Sequence, residues 1–287
     1  MAALCRAPGI DAVYIASTHN AHAEHALAAI SAGKAVLCEK PFTVTGAQAC
    51  DVIAAARSRG SLLMEAMWTR FLPTYVPVRQ WLAEGAVGAI TGLEAFFGYE
   101  QDPATQQRLY DASVAGGSLL DAGVYCVSMA QWLFGGPLRV QEARGHIGPT
   151  GVDEDLFVRL SLGQGNRQGL ELRFRSSLRQ RFYNAFVIHG ERGRIVVTDN
   201  FWDAGQPLLM VNGKPTLAPH VPFDINGFEY QVREVHRCLT RGALQSDTMP
   251  WSDSLEVMNC LDDIRERIGL RYPFEPTFET PPLKTHA

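Results

Sequence analysis

"DAVYIASTHNAHAEHALAAISAGKAVLCEKPF", residues 11–42, decides the fold. It opens with an apolar run of strand length at 11–17. An alanine-rich stretch at 21–34 follows, with Ala26, Ala29 and Ile30 at helical spacing and Gly33 as a stop signal. A second apolar run, "AVLCEKP", comes next. The alternation continues with a helix at 45–60 that closes at Gly60 and a third strand, "SLLMEAM", at 61–67. Apolar strands alternating with helices predict a parallel sheet covered on both faces. Ligands of such sheets bind beyond the carboxyl ends of the strands, where Lys40 stands. A lysine there is either part of a charged turn leaving the core or a group held for chemistry.

After Arg70 the pattern changes. A helix is expected at 72–84, a strand at 89–99 and a helix between the glycine pairs of "GGSLLDAGVYCVSMAQWLFGG", 116–136. From there to about residue 212 short strand-like runs follow one another across glycine-bearing turns, as in an antiparallel sheet. Helices at 225–239 and 252–268 close the pattern. The expectation is α/β: residues 1–70 as a parallel, Rossmann-type piece, and 71–287 as an α+β domain with an open, mostly antiparallel sheet.

A formal charge of −4 and a pI near 6.1 argue against a nucleic-acid partner. No uninterrupted apolar run reaches the roughly 18–20 residues of a membrane span, so no membrane partner is expected. Six scattered cysteines without a CxxC pair fit a reducing, cytoplasmic setting without disulfides.

His19, His22 and His25 crowd into one segment, with His22 and His25 on one helix face. No cysteine or carboxylate cluster completes a ligand set, so no metal is expected and the histidines are read as lining a loop above the sheet. "GQGNRQG", 163–169, has a glycine-rich look but falls between two expected antiparallel strands, so a hairpin turn is the better reading; G-x-G-x-x-G is absent from the chain. Asp121 and Tyr125 lie four apart on one expected helix face, behind the Gly116–Gly117 pair. A tyrosine can exchange a proton if a nearby cation lowers its pKa; it can equally be half-buried packing beside a capping aspartate.

Together, "DAVYIASTHNAHAEHALAAISAGKAVLCEKPFTV", "MEAMWTRFLP" and "GGSLLDAGVYCV" resemble the Gfo/Idh/MocA oxidoreductases, most closely the dimeric dihydrodiol dehydrogenase-like branch. The resemblance implies hydride transfer between NADP or NAD, NADP slightly favoured, and a secondary alcohol of a sugar, cyclitol or trans-dihydrodiol. It implies Lys40, Asp121 and Tyr125 as the catalytic set, with Tyr125 as proton carrier beside Lys40. It places Ser17, Thr18, His19, Asn20, His22, Glu39, Lys40 and Pro41 on the cofactor side, and Trp68 and Arg70 near cofactor or substrate. A cis bond before Pro41, a homodimer through the open sheet and a small-molecule partner also follow from it.

The family's usual opening of strand, G-x-G-x-x-G turn, helix, strand and helix has no counterpart. At roughly 30 residues per βαβ unit that is about 50 to 60 residues. A late-assigned gene start is the preferred explanation, ahead of a fragment or a chain that has lost cofactor binding. The chain as written is then expected to bind dinucleotide poorly. The rival reading is a non-catalytic sugar-sensing or interaction protein.

Overall fold

The computed structural model describes residues 2–163, 169–198, 200–203 and 205–275; most of the "GQGNRQG" turn lies outside these. After helix α1 (Ala2–Arg6), the chain alternates β1 (Ala12–Ile15), α2 (His22–Ser31), β2 (Ala35–Glu39), α3 (Gly46–Arg59) and β3 (Leu63–Ala66). The strands form a parallel sheet in the order β1-β2-β3. Local chemistry sets these limits: the Thr45 side chain accepts from Gln48 N to start α3, and Gly60, at φ 63°, ends it. Val36, Leu37 and Cys38 are buried, as a central strand requires. β1 departs from two-sided cover. Val13 and Ile15 are buried while Tyr14 is 50 % exposed, because β1 pairs with β2 alone among the described strands and has cover on one face only.

The second unit begins with α4 (Tyr75–Ala83) and β4 (Ile90–Gly98), followed by α5 (Val124–Phe134). The strands β5 (Arg139–Ile147), β6 (Asp153–Leu162), β7 (Leu170–Ser177), β8 (Phe186–Gly190), β9 (Gly193–Val197), β10 (Pro207–Val211) and β11 (Lys214–Leu217) come next. With β4 they form an eight-stranded sheet ordered β11-β10-β9-β8-β4-β7-β6-β5. The sheet is antiparallel except between β4 and β7, which run parallel because α5, β5 and β6 intervene before the chain returns beside β4. Along β6, Leu156, Val158, Leu160 and Leu162 face the core while Asp155, Phe157, Arg159 and Ser161 face the other side.

The helix expected at 225–239 is α6 (Glu229–Arg241), four residues later. Gly227 takes φ 94°, and the Glu229 carboxylate accepts from the backbone N–H groups of Ile225, Asn226 and Gly227, making those residues a turn. α7 (Trp251–Ile268) ties the two sheets together. Its Trp251 indole donates to Leu63 O at 2.9 Å, and the Ser254 hydroxyl donates to Glu65 Oε2 at 2.7 Å. Its Asp262 accepts from Gly46 N at 2.7 Å. One hydrophobic cluster runs through both units. Residues 112–134, which run from a 3-10 turn through a π turn into α5, are long and apolar enough by composition to match a membrane span, but the stretch is mostly buried inside the protein.

Candidate active site

β1 and β2 deliver their carboxyl ends to the same edge. From β1 the chain passes through Ala16, Ser17 and Thr18 into a 3-10 turn, His19–Ala21. From β2 it passes Glu39 and Lys40 into Pro41, across a cis Lys40–Pro41 bond. A cavity of about 440 Å³ opens there. Ser17, Thr18, His19 and His22 line one side; Glu39 and Lys40 form the floor, and Arg108 and Asp121 close it from the second unit.

Asp121 sits in a π-helical turn, Leu119–Gly123, that runs directly into α5. Such turns widen the helix and often mark functional positions. Lys40 Nζ donates to the Asp121 carbonyl at 2.8 Å and to Oδ1 at 3.2 Å, and lies 4.9 Å from the centre of the Tyr125 ring. Arg108 Nη2 donates to the same Oδ1 at 3.1 Å. Burial opposes ionisation of Asp121, yet the Lys40 and Arg108 cations outweigh it and hold the carboxyl well below the ordinary range. Asp121 is an anion that aims Lys40.

Tyr125 behaves differently from the expectation that Lys40 would lower its pKa. Burial, with the Glu39 and Asp121 carboxylates adding to it, pushes the phenol well above its ordinary value. The Lys40 ammonium is engaged by Asp121 and covers the ring face. The phenol is therefore held protonated, and its oxygen accepts from Trp68 Nε1 at 3.2 Å.

The histidines are braces. His22 places Nδ1 2.8 Å from Pro41 O and Nε2 3.0 Å from Ser17 O, spanning the two loops that line the cavity. Burial lowers its pKa, against the pull of the Pro41 and Ser17 carbonyls; a neutral ring donates to only one of the two oxygens. His19 is brought down to about 3 by burial, against the pull of Asp121 and with Lys40 adding to the effect. Its Nδ1–H donates to Ala115 O at 2.8 Å, leaving Nε2 to accept from Arg108 Nη1 at 3.3 Å. His25 Nδ1 meets the Ser17 hydroxyl at 3.0 Å. Among the described residues no three His, Cys, Asp or Glu side chains gather as a metal set.

The remaining expected residues divide. Thr18 donates to Asn20 Oδ1 at 2.7 Å, and Asn20 Nδ2 donates to Ser113 O at 3.1 Å, so Asn20 binds the wall rather than facing the cavity. Glu39 receives the Tyr14 hydroxyl, and burial raises its pKa. Trp68 stands behind Tyr125, its ring stacked on Phe228 at 4.4 Å. Arg70 does not reach the cavity. It is buried against α5 and α7, donating to Asp253 Oδ2 at 2.6 Å, Ser128 O at 2.9 Å and Gln131 Oε1 at 3.0 Å. A guanidinium buried this deeply needs those partners, and they fix it in the core.

A model of the oxidoreductase family with an NAD-binding Rossmann fold matches residues 1–67, and one of the GFO/IDH/MocA C-terminal domain matches residues 75–196. The chain belongs to the Gfo/Idh/MocA oxidoreductases. It is 34 % identical over 279 residues to the trans-1,2-dihydrobenzene-1,2-diol dehydrogenase of Xenopus laevis, covering 94 % of this chain and 82 % of that one. To the human enzyme of the same name it is 33 % identical over 277 residues, covering 94 % and 81 %. Among solved structures it resembles KijD10, a 3-ketoreductase from Actinomadura kijaniata in complex with NADP and TDP-benzene. The TM-score is 0.83 at 28 % identity, covering 93 % of this chain and 81 % of that one. A levoglucosan dehydrogenase in complex with NADH and levoglucosan shares the fold, at TM-score 0.79 and 21 % identity, covering 93 % of this chain and 80 % of that one.

Sequence reading of this Gfo/Idh/MocA member missed Arg108. It lies in a 3-10 turn, Gln107–Tyr110, within a polar stretch that has no periodicity. Its one local signal was a basic residue shortly ahead of the Gly116–Gly117 pair.

Proposed function

We propose that this protein is a nicotinamide-dependent oxidoreductase that interconverts a secondary alcohol of a sugar, cyclitol or trans-dihydrodiol with the corresponding ketone. The observation that carries the reading is the set of Lys40, Asp121 and Tyr125 gathered at the carboxyl edge of the parallel strands.

The residues present suit the nicotinamide end of the cofactor. The cavity at that edge falls in the ordinary size range for small ligands and offers Ser17, Thr18 and Lys40 as polar contacts. Bound NADP or NAD supplies or accepts the hydride. The protein's part is proton handling and charge. Tyr125, held as a phenol, gives its proton to the ketone oxygen as reduction proceeds, and takes it back in oxidation. Lys40, aimed by Asp121, donates to that oxygen and stabilises its developing negative charge. The protonated phenol is the form that reduction uses, and oxidation regenerates it.

Substrate class rests on the surroundings of Tyr125. Phe97 lies 5.5 Å from its ring and stacks on Trp202 at 3.5 Å; Tyr99 meets Trp202 edge-on at 5.5 Å. With Trp68 and Phe228, these rings, most of them buried, back Tyr125 with aromatic packing, in keeping with a cyclic diol or pyranose as substrate. We further place the protein in a reducing compartment, in keeping with its six free cysteines. A homodimer through the open sheet is proposed on family resemblance alone; on that face Glu142, Arg159, Glu171 and Arg173 pair with one another within the chain.

The test is fluorescence titration with NADH and NADPH, followed by turnover of a panel of cyclic ketones, sugars and diols. Weak binding of one dinucleotide, as the absence of G-x-G-x-x-G implies, with turnover of a cyclic substrate at high dinucleotide concentration is the expected result. A folded protein that turns over no such substrate at high dinucleotide concentration overturns the reading and favours a sensing role.

A further inference from the structure

Residues 107–116 form a strap across the cavity mouth. At its base Leu109 and Tyr110 are buried with Val152 and Leu178, and the Tyr110 hydroxyl donates to Gln101 O at 2.9 Å. Asp111 Oδ1 accepts from Ser113 N at 2.8 Å, and the Tyr272 hydroxyl donates to Gly116 O at 2.6 Å. The buried cluster and the Tyr110 and Tyr272 bonds fix the strap to the rest of the second unit.

On its other side the strap holds the loop that leaves β1. Three bonds cross the gap: His19 Nδ1–H to Ala115 O, Asn20 Nδ2 to Ser113 O, and Arg108 Nη1 to His19 Nε2. Both nitrogens of one imidazole are thus bonded to the strap. The last of the three requires His19 to be neutral, because an imidazolium has no lone pair to accept with. The same guanidinium reaches inward and donates to Asp121 Oδ1, the oxygen that also receives Lys40. Among the described residues, Arg108 is therefore the one side chain that bonds both the cavity loop and the Asp121 carboxylate. A lysine is a poor copy, since its three donors leave one compact nitrogen, whereas the guanidinium reaches the two acceptors with separate nitrogens, Nη1 and Nη2.

We propose that Arg108 is a positioning residue that couples the Ser17–His22 loop to the Lys40–Asp121 pair, so that Lys40 is aimed for chemistry only while that loop is latched to the strap. The proposal rests on the oxidoreductase reading for its kinetic consequence and on geometry alone for its structural one. Removing the guanidinium leaves the chemical groups of the site in place but loosens their aim. Misplacement of about 1 Å can cost on the order of 10²-fold in rate.

The experiment compares the unaltered protein with Arg108→Gln and Arg108→Lys by hydrogen–deuterium exchange and by steady-state kinetics. In Arg108→Gln, exchange is expected to rise together in peptides covering 17–22 and 107–116, with the melting temperature little changed. kcat should fall by ~10- to 100-fold with a smaller change in KM. The acidic limb of the pH–rate profile should also move upward, because Asp121 loses one of the cations that keep it ionised. Arg108→Lys should restore the acidic limb, keeping a charge near Asp121, but not the protection of 17–22. Exchange that rises only in 107–116, or Arg108→Lys behaving like the unaltered protein in both readouts, overturns the coupling. If the unaltered protein shows no turnover, the oxidoreductase reading falls, and the exchange comparison still decides the latch. Should Arg108→Gln fail to fold, the Arg108→Lys exchange pattern decides it alone.

Discussion

Glu65 shows how one buried residue can govern the turn that carries Lys40 without entering the cavity. Its Oε1 accepts from Phe42 N at 3.2 Å, and its Oε2 accepts from the Ser254 hydroxyl at 2.7 Å, so the carboxyl props the turn that follows Lys40 and Pro41. Burial pushes its pKa from 4.5 up to about 7, against the pull of Ser254 and Arg70. Between those values the unfolded chain has released the proton and the folded chain retains it. Stability therefore falls as pH rises through the window, and the full cost, on the order of 3 kcal/mol, is present above pH 7. Glutamine in its place keeps an acceptor for Phe42 N, offers a donor to Ser254 and has no proton to lose. Relative to the unaltered protein, Glu65→Gln is expected to gain stability between pH 5 and pH 8, by up to about 3 kcal/mol in urea denaturation. An equal difference at both pH values would mean that Glu65 does not titrate between them.

At the scale of elements, the β1–α2–β2–α3–β3 run was legible because each piece is set locally, by apolar runs, a Thr45 cap and the Gly33 and Gly60 stops. The β10–β11 hairpin carried an equally local sign, Asn212–Gly213, both at positive φ (50° and 75°), but the reading ended at about residue 212. The parallel pairing of β4 with β7 was not legible, since it depends on which strand the chain meets after some seventy intervening residues. The π turn under Asp121 was hidden too, because a widened turn and a regular one use the same residues. Asp121 and Tyr125 could be read as neighbours on one face; that Arg108 shares Asp121 with Lys40 could not, as the bond joins a non-periodic loop to a helix. The turn's geometry starts at Gly117. Its φ is 115°, and a β-carbon there would collide with Asp153 Oδ1. Asp153 is fully buried, and its Oδ2 accepts from the Ser118 hydroxyl at 2.8 Å and from Leu119 N at 2.7 Å, capping the turn. Gly117→Ala is expected to cost about 1–3 kcal/mol from the backbone conformation alone. It should also lower kcat more than ten-fold, since displacing Asp153 shifts Asp121. Thermal melting and kinetics on one preparation check both; a melting temperature and rate like those of the parent would show that the turn tolerates the added carbon.

For the whole molecule, the question is what makes two differently built sheets act as one body, since the cavity is floored by one unit and closed by the other. α7 supplies part of the tie, and Arg70 adds to it. Resemblance put Arg70 near cofactor or substrate. The structure puts it between the 3-10 turn Trp68–Phe71, α5 and α7, with its side chain wholly buried and paired to Asp253, itself 17 % exposed. Burial works against the charge of Arg70, and Asp253 and Glu65 work to keep it. Cutting such a pair on one side leaves the other charge uncompensated, which typically costs 3–5 kcal/mol. Arg70→Ala should therefore lower the denaturation midpoint by that equivalent. It should leave the dissociation constant of the bound dinucleotide, measured under conditions where the variant is folded, within tenfold of the parent, or about 1.4 kcal/mol. Because one core spans both units, unfolding is also expected to remain a single transition when followed by tryptophan fluorescence and by far-UV circular dichroism. Loss of dinucleotide affinity without loss of stability would return Arg70 to the cofactor side. Two separated transitions would instead mean that Arg70 and α7 together are what join the sheets.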